Sequence, residues 1–188
     1  MQAAEPGDAA VVEAVRNWLL RAVIGLNLCP FAKSVQAKDQ IRFAVCRARD
    51  EAGVAQALES ELQGLALAQA EQTDTTLLIL PCALADFHAY NDFLHTADRL
   101  IKRLRLRGVL QVASFHPDYQ FDGTAPDDIE NYTNRSPYPI LHLLREESIE
   151  RALAAYPDPA DIYERNQVTL RRLGREGWSR LLGMSGRE

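Results

Sequence analysis

His116-Pro117-Asp118 and, further along the same stretch, Asn134-Arg135 are the side chains whose types and order could carry chemistry. An imidazole ordinarily titrates near neutrality, so it can serve as general acid, general base or metal ligand. Pro117 removes a backbone donor and stops the strand that delivers His116. Asp118 or Asp122 could orient the ring. Arg135 offers a planar fork of donors matched to a carboxylate or phosphate; stapling its own loop by pairing with Asp127 or Asp128 is the alternative. With Asn134 beside Arg135, and Tyr119 or Tyr132 as pocket walls, these residues describe an enzyme for a small anionic or polar metabolite. His116 would be its acid/base. Two rivals stay open: the stretch grips a ligand without chemistry, or it folds as a cap that satisfies only itself.

Other candidates lie outside this stretch. Cys29-Pro30-Phe31, with Lys33 following, could hold a nucleophilic or redox thiol at the pocket rim, because a nearby cation lowers a thiol pKa. An inert, buried cysteine is the alternative. Cys46, Cys82 and His116 each end a predicted strand, and two thiolates with an imidazole suit zinc, although no close-spaced ligand pair accompanies them. His88, Asp92 and His95 share one side of a predicted helix and form a second possible metal set. His142 alternates with Leu141 and Leu143 and reads as a satisfied sheet histidine.

No phosphate loop, dinucleotide-binding glycine pattern or nucleophile elbow occurs in the sequence. An ordinary ATPase, nicotinamide dehydrogenase or α/β-hydrolase is thereby disfavoured, and no cofactor is identified.

The elements that must position these residues follow from hydrophobic period. Positions 8–22 carry Val11, Val15, Trp18, Leu19 and Ala22 at helical spacing, with Asp8 as cap and Gly25 as stop. A loop is predicted over 26–39. Ile41, Phe43 and Val45 alternate with Arg42, Ala44 and Cys46 as a strand. Asp50 caps a helix, 75–80 is a strand covered on both faces, and Phe87 to Leu104 gives the clearest amphipathic helix. The strand 109–115 follows.

Strand–helix–strand–helix–strand is the order of crossovers in a parallel sheet. Ligands bind beyond the carboxyl ends of such strands, which is where His116 falls. The polar connection after His116 contains a helix start at Thr124 and Pro126-Asp127-Asp128. A fourth strand over 140–144, a short helix over 146–156 and a last helix from Asp158-Pro159 complete the chain, with a break at Gly174 or Gly177. The prediction is an α/β fold: about four strands in a largely parallel sheet flanked by helices, with a C-terminal helical segment. It spans 9–183 as one domain behind a flexible tail over 1–8.

Composition bounds the setting. At 188 residues the chain suits one core, and 47% hydrophobic with 25% charged residues is ordinary globular usage. A net charge of −5 gives no long-range pull toward nucleic acid or an anionic membrane. No apolar run approaches the roughly 18 residues of a spanning helix, and no secretory leader is visible. Three cysteines without a CxxC pair suit a reducing cytoplasm. A small-molecule ligand is the expected partner.

ASFHPDYQF at 113–121, ENYTNRSPYPILHLLRE at 130–146 and NLCPFAK at 27–33 together resemble an uncharacterised bacterial family, domain of unknown function 1415. The resemblance covers about Val12 to Leu182. It implies a bacterial protein of one domain with these stretches as hallmarks, and it brings no activity with it. In that family a proline often precedes the Glu/Lys-Arg-Asn of the last helix, where this chain has Tyr163-Glu164-Arg165-Asn166.

Overall fold

Four short strands assemble into one sheet in the order β1-β2-β4-β3, and the computed structural model describes residues 5–154 and 160–183. The strands are β1 (Ile41–Val45), β2 (Thr75–Ile79), β3 (Leu110–Phe115) and β4 (Ile140–Arg145). β1 and β2 pair in parallel, while β4 runs antiparallel to both β2 and β3. The sheet is therefore mixed, which corrects the largely parallel expectation. The long connection after β3 supplies only a single 3-10 turn, Ile129–Thr133, and not a crossover helix. The chain accordingly re-enters the sheet from the edge it left: Ile140 pairs with Ile79 and Phe115, the last residues of β2 and β3. The first three strands do point the same way, so their carboxyl ends share one edge.

Helices cover both faces. α3 (Glu51–Leu67) and α4 (Phe87–Arg103) pack on one side, around Leu58, Leu62, Tyr90 and Phe93 with Leu78, Leu141 and Leu143 of the strands. The start of α3 is as the sequence predicts, with Asp50 accepting the Gly53 N–H, and at α4 Asp86 likewise accepts the Ala89 N–H. Each such cap contributes roughly 1 kcal/mol. On the other face lie α1 (Asp8–Trp18), α2 (Ala32–Ala37), α5 (Glu146–Leu153) and α6 (Ala160–Leu181). The core there joins Val11, Val15, Trp18, Leu170 and Trp178 to Leu77, Ile79 and Ile140. β2 is buried at all five positions, including the two threonines that open it, in keeping with a strand covered on both faces.

Local departures have local causes. Gly7, not Asp8, occupies the cap position of α1. α1 passes into a π-helical turn, Leu19–Ile24, and the helical run ends with Gly25 as its cap residue, where the stop was predicted. A Cβ on Gly25 would stand 2.2 Å from the Arg21 carbonyl oxygen, so this glycine permits a close approach rather than a left-handed stop. The left-handed residue is Asn27, at φ 54°. The predicted loop over 26–39 contains α2. Gly174, at φ 65° and ψ 174°, breaks α6 where a break was predicted. Asp158-Pro159 lies outside the described residues. No helix among the described residues is long and apolar enough to cross a membrane.

Candidate functional site

The connection from β3 to β4 brings most of the predicted site residues together, and their polar groups are turned on one another. His116 follows directly on β3 with 0% of its surface exposed. Its Nε2 lies 3.1 Å from the Leu84 carbonyl, and its Nδ1 accepts the Asp118 backbone N–H at 3.0 Å. A carbonyl can only accept, so the ring is the Nε2–H tautomer with both nitrogens engaged. Phe87 and Tyr90 pack against it with centroids 5.3 and 5.1 Å away. Burial holds the imidazole below its ordinary pKa, against smaller opposing contributions led by the Leu84 carbonyl. Asp118 thus orients His116, through its backbone rather than its carboxylate.

Asn134 donates from Nδ2 to the Ser114 carbonyl. Arg135 lies over the Tyr132 ring, 4.5 Å from its centroid, and donates to the carbonyls of Tyr119 and Pro126. These are backbone oxygens, not the carboxylates of Asp127 or Asp128. Asp128 accepts the Ala125 N–H, and Asp127 lies 3.7 Å from Arg175. Tyr119 packs on Phe87 and Phe121, and Tyr132 packs edge-on against Trp178. Asn131, fully buried, ties the interior: its Oδ1 accepts the Phe121 N–H and its Nδ2 donates to the Ala125 carbonyl. The loop thus satisfies its His116, Asn131, Asn134 and Arg135 groups internally, while the Thr133 hydroxyl oxygen is buried without a partner.

Cys29 and Lys33 do not join that cluster. Lys33 is exposed on α2. Cys29 lines a separate cavity to which no residue of the β3–β4 connection contributes. Burial raises its thiol pKa, partly offset by the backbone N–H groups of Phe31 and Ala32. Cys46 is buried beneath α3 and α4. Cys82 sits 3.8 Å from Arg47 Nη1 and 3.7 Å from Glu5 Oε2. His88, Asp92 and His95 are exposed along α4. Among the described residues, no three or more His, Cys, Asp or Glu side chains gather into a group that could hold a metal ion.

The cavity encloses about 670 Å³. It lies over the amino-end half of β1 and β2 and along β3 as far as Phe115, on the face opposite α3 and α4. Its floor is Ile41, Thr75, Leu77, Ala113, Phe115, His142 and Leu144; Trp18, Leu19, Val23 and Cys29 form one wall, α2 a second and α5 a third. Two features of the chain shape its wall. The π-helical turn widens the path after Trp18, and such turns recur at functional sites. The corner before α2 is fixed by Asn166, buried in α6, which donates to the Leu28 carbonyl at 2.8 Å.

At the rim, Arg145 donates to the carbonyls of Leu65, Ala68 and Thr73, so the end of α3 and the entry to β2 are held together. Asp74 accepts from the Ser148 hydroxyl and anchors α5. In the floor, His142 meets the Thr75 hydroxyl at 2.7 Å, and burial pulls the imidazole down to about 4.

A family model described as a protein of unknown function (DUF1415) matches residues 10–180. The chain belongs to that family. No curated protein and no solved structure matches it. The three stretches that carried the resemblance now have places. NLCPFAK forms the corner over the cavity, and ASFHPDYQF takes in the second half of β3 and starts the connection. ENYTNRSPYPILHLLRE closes that connection and continues through β4.

The residues missed in the sequence, His142, Thr75, Phe115 and Trp18, all face this cavity. The available signal was alternation. Gln111, Ala113 and Phe115 occupy the face of β3 opposite His116, and Ile140, His142 and Leu144 occupy the matching face of β4. A histidine and a small alanine amid bulky neighbours mark a floor without a close-packed cover.

Proposed function

We propose that this chain binds a small, mostly apolar molecule in the cavity between the sheet, α2 and α5. The observation that carries the reading is the cavity itself. A volume of about 670 Å³ lies within the range of small-molecule sites, and its lining is aromatic and aliphatic with a few polar groups. Water in such a space finds few partners, so an apolar occupant that displaces it is favoured. The charged side chains Lys38, Glu71 and Arg151 stand at its rim, where a polar end of the ligand would emerge.

In this reading the His116–Arg135 loop is a cap on the sheet edge. Its imidazole nitrogens and Arg135 already hold backbone groups of the loop and of the turn before α4. Catalysis by His116 on a metabolite gripped by Arg135 is the second reading. It requires those bonds to be exchanged for substrate contacts, and the cost of stranding buried polar groups stands against it.

Naphthalene, which has no polar group, tests the cavity alone. Calorimetric titration should give saturable one-to-one binding, abolished in Ala113→Trp, where an indole would occupy the floor. Absence of saturable binding, or equal binding by Ala113→Trp, would sink the proposal.

A further inference from the structure

We infer that the end of the ligand reaching the sheet is a hydrogen-bond donor, a hydroxyl or N–H, received by Nδ1 of His142. This rests on the cavity being the binding site. The Thr75 hydroxyl lies 2.6 Å from the Leu143 carbonyl oxygen and 2.7 Å from His142 Nε2. It has one proton, and the carbonyl can only accept, so that proton points at Leu143. Nε2 must therefore carry the ring proton and give it to the Thr75 oxygen. A neutral imidazole has a single N–H, which leaves Nδ1 as a bare lone pair. The ring is kept neutral at ordinary pH because burial disfavours its charged form.

No group among the described residues reaches Nδ1 within hydrogen-bonding distance, and Nδ1 is not one of the buried side-chain atoms left without a partner. His142 is half-buried and lines the cavity, so its lone pair faces that space.

The chemistry of the occupant follows. A hydroxyl or amide N–H satisfies the lone pair and loses little by leaving water. A carboxylate or phosphate brings lone pairs against a lone pair in an apolar surround, and its charge would go undesolvated only at the rim, near Lys38 and Arg151. The other polar atoms within reach do not change this preference. Arg145 is committed to three carbonyls, and Cys29 keeps its proton because burial raises its pKa. The inferred class is a small alcohol, phenol or cyclic N–H compound with an apolar body.

The test compares 2-naphthol with 2-methoxynaphthalene, which has nearly the same size and no O–H, on the intact chain and on His142→Phe. The naphthol should bind the wild type about three- to tenfold tighter than the ether, the range of one net neutral hydrogen bond. In His142→Phe the two should bind alike. Nitrogen NMR of wild-type His142 gives a readout independent of the variant's folding. The Nδ1 resonance should be that of an unprotonated nitrogen, should move upfield with 2-naphthol, and should stay in place with 2-naphthoate. Equal wild-type affinities, a naphthol preference that survives in a folded His142→Phe, a protonated Nδ1, or an Nδ1 that responds to 2-naphthoate would each overturn the inference while leaving the cavity reading intact. Binding of neither naphthol nor ether would overturn both.

Discussion

Asn131→Ala separates a loop that belongs to the fold from one held ready for a substrate. Asn131 is fully buried within the β3–β4 connection. Its Oδ1 accepts the Phe121 N–H at 3.0 Å, and its Nδ2 donates to the Ala125 carbonyl at 2.8 Å. The Thr124 hydroxyl, 2.8 Å from both Asn131 Oδ1 and the Phe121 carbonyl, gives its one proton to one of them. Truncation strands one backbone donor and one acceptor. Each buried group left unpaired costs roughly 1–3 kcal/mol, so the total should be about 3 kcal/mol. For a domain of this size that lowers Tm by roughly 6–12 °C.

Urea unfolding followed by tryptophan fluorescence is the assay, since Trp178 packs on Tyr132 beside the loop. The midpoint should fall with the slope unchanged, the signature of a loop that unfolds with the domain. Asn131→Asp should be at least as damaging at neutral pH, because a carboxylate oxygen would then face the Ala125 carbonyl. It should recover in part on acidification, as the protonated acid regains a donor. A loss below about 1 kcal/mol in Asn131→Ala, or a reduced slope, would refute the view that the loop is an integral cap.

Three further outcomes follow from single residues. An unfolded histidine titrates near 6.5 and folded His142 at about 4, so the unfolded chain takes up its proton first as pH falls. Stability from this group is complete above 6.5 and is lost on the way down to 4; the loss of unfolding free energy between pH 7 and 4.5, measured by urea titration, should be smaller in His142→Phe by about 2 kcal/mol. His116, also held low by burial, adds a loss of the same sign, so the variant should reduce the acid sensitivity without abolishing it. Cys29 should react with iodoacetamide far more slowly at pH 7 than a free thiol and accelerate only at alkaline pH, because burial raises its pKa; fast labelling at neutral pH, located by peptide mass mapping, would contradict this. Gly174→Ala should cost roughly 1–3 kcal/mol in thermal unfolding, through the backbone alone, since φ 65° with ψ 174° is a region glycine tolerates and no atom lies within 4 Å of the added methyl; an unchanged Tm would show that α6 re-forms without the break.

Much of the fold was legible because it is local. The apolar stripe of α4, the Asp50 cap and the all-buried β2 follow from spacing and side-chain chemistry within one element. The shared edge of the first three strands also followed, since helical crossovers fix their direction. β4 was harder. Its pattern is symmetric under reversal, and only the lack of a crossover helix between His116 and Ile140 turns it antiparallel. Gly25 shows the same limit. The helical run does stop there, but the π-helical turn that needs its missing Cβ is visible only once the Arg21 carbonyl is in place.

For the candidate site the division is sharper. The sequence by itself determined that polar and titratable groups concentrate between His116 and Arg135, because residue identity is composition read in order. Whether those groups face a ligand or each other is a matter of partners. The tertiary structure paired His116 with Leu84 and Asp118, and Arg135 with Tyr119 and Pro126. His142 is the converse. Alternation made it a sheet histidine, and so it is at Nε2. That its other nitrogen opens on a cavity depends on helices α2 and α5 standing off from the same sheet face. Such a gap is set by where distant elements stop, and no local pattern encodes it.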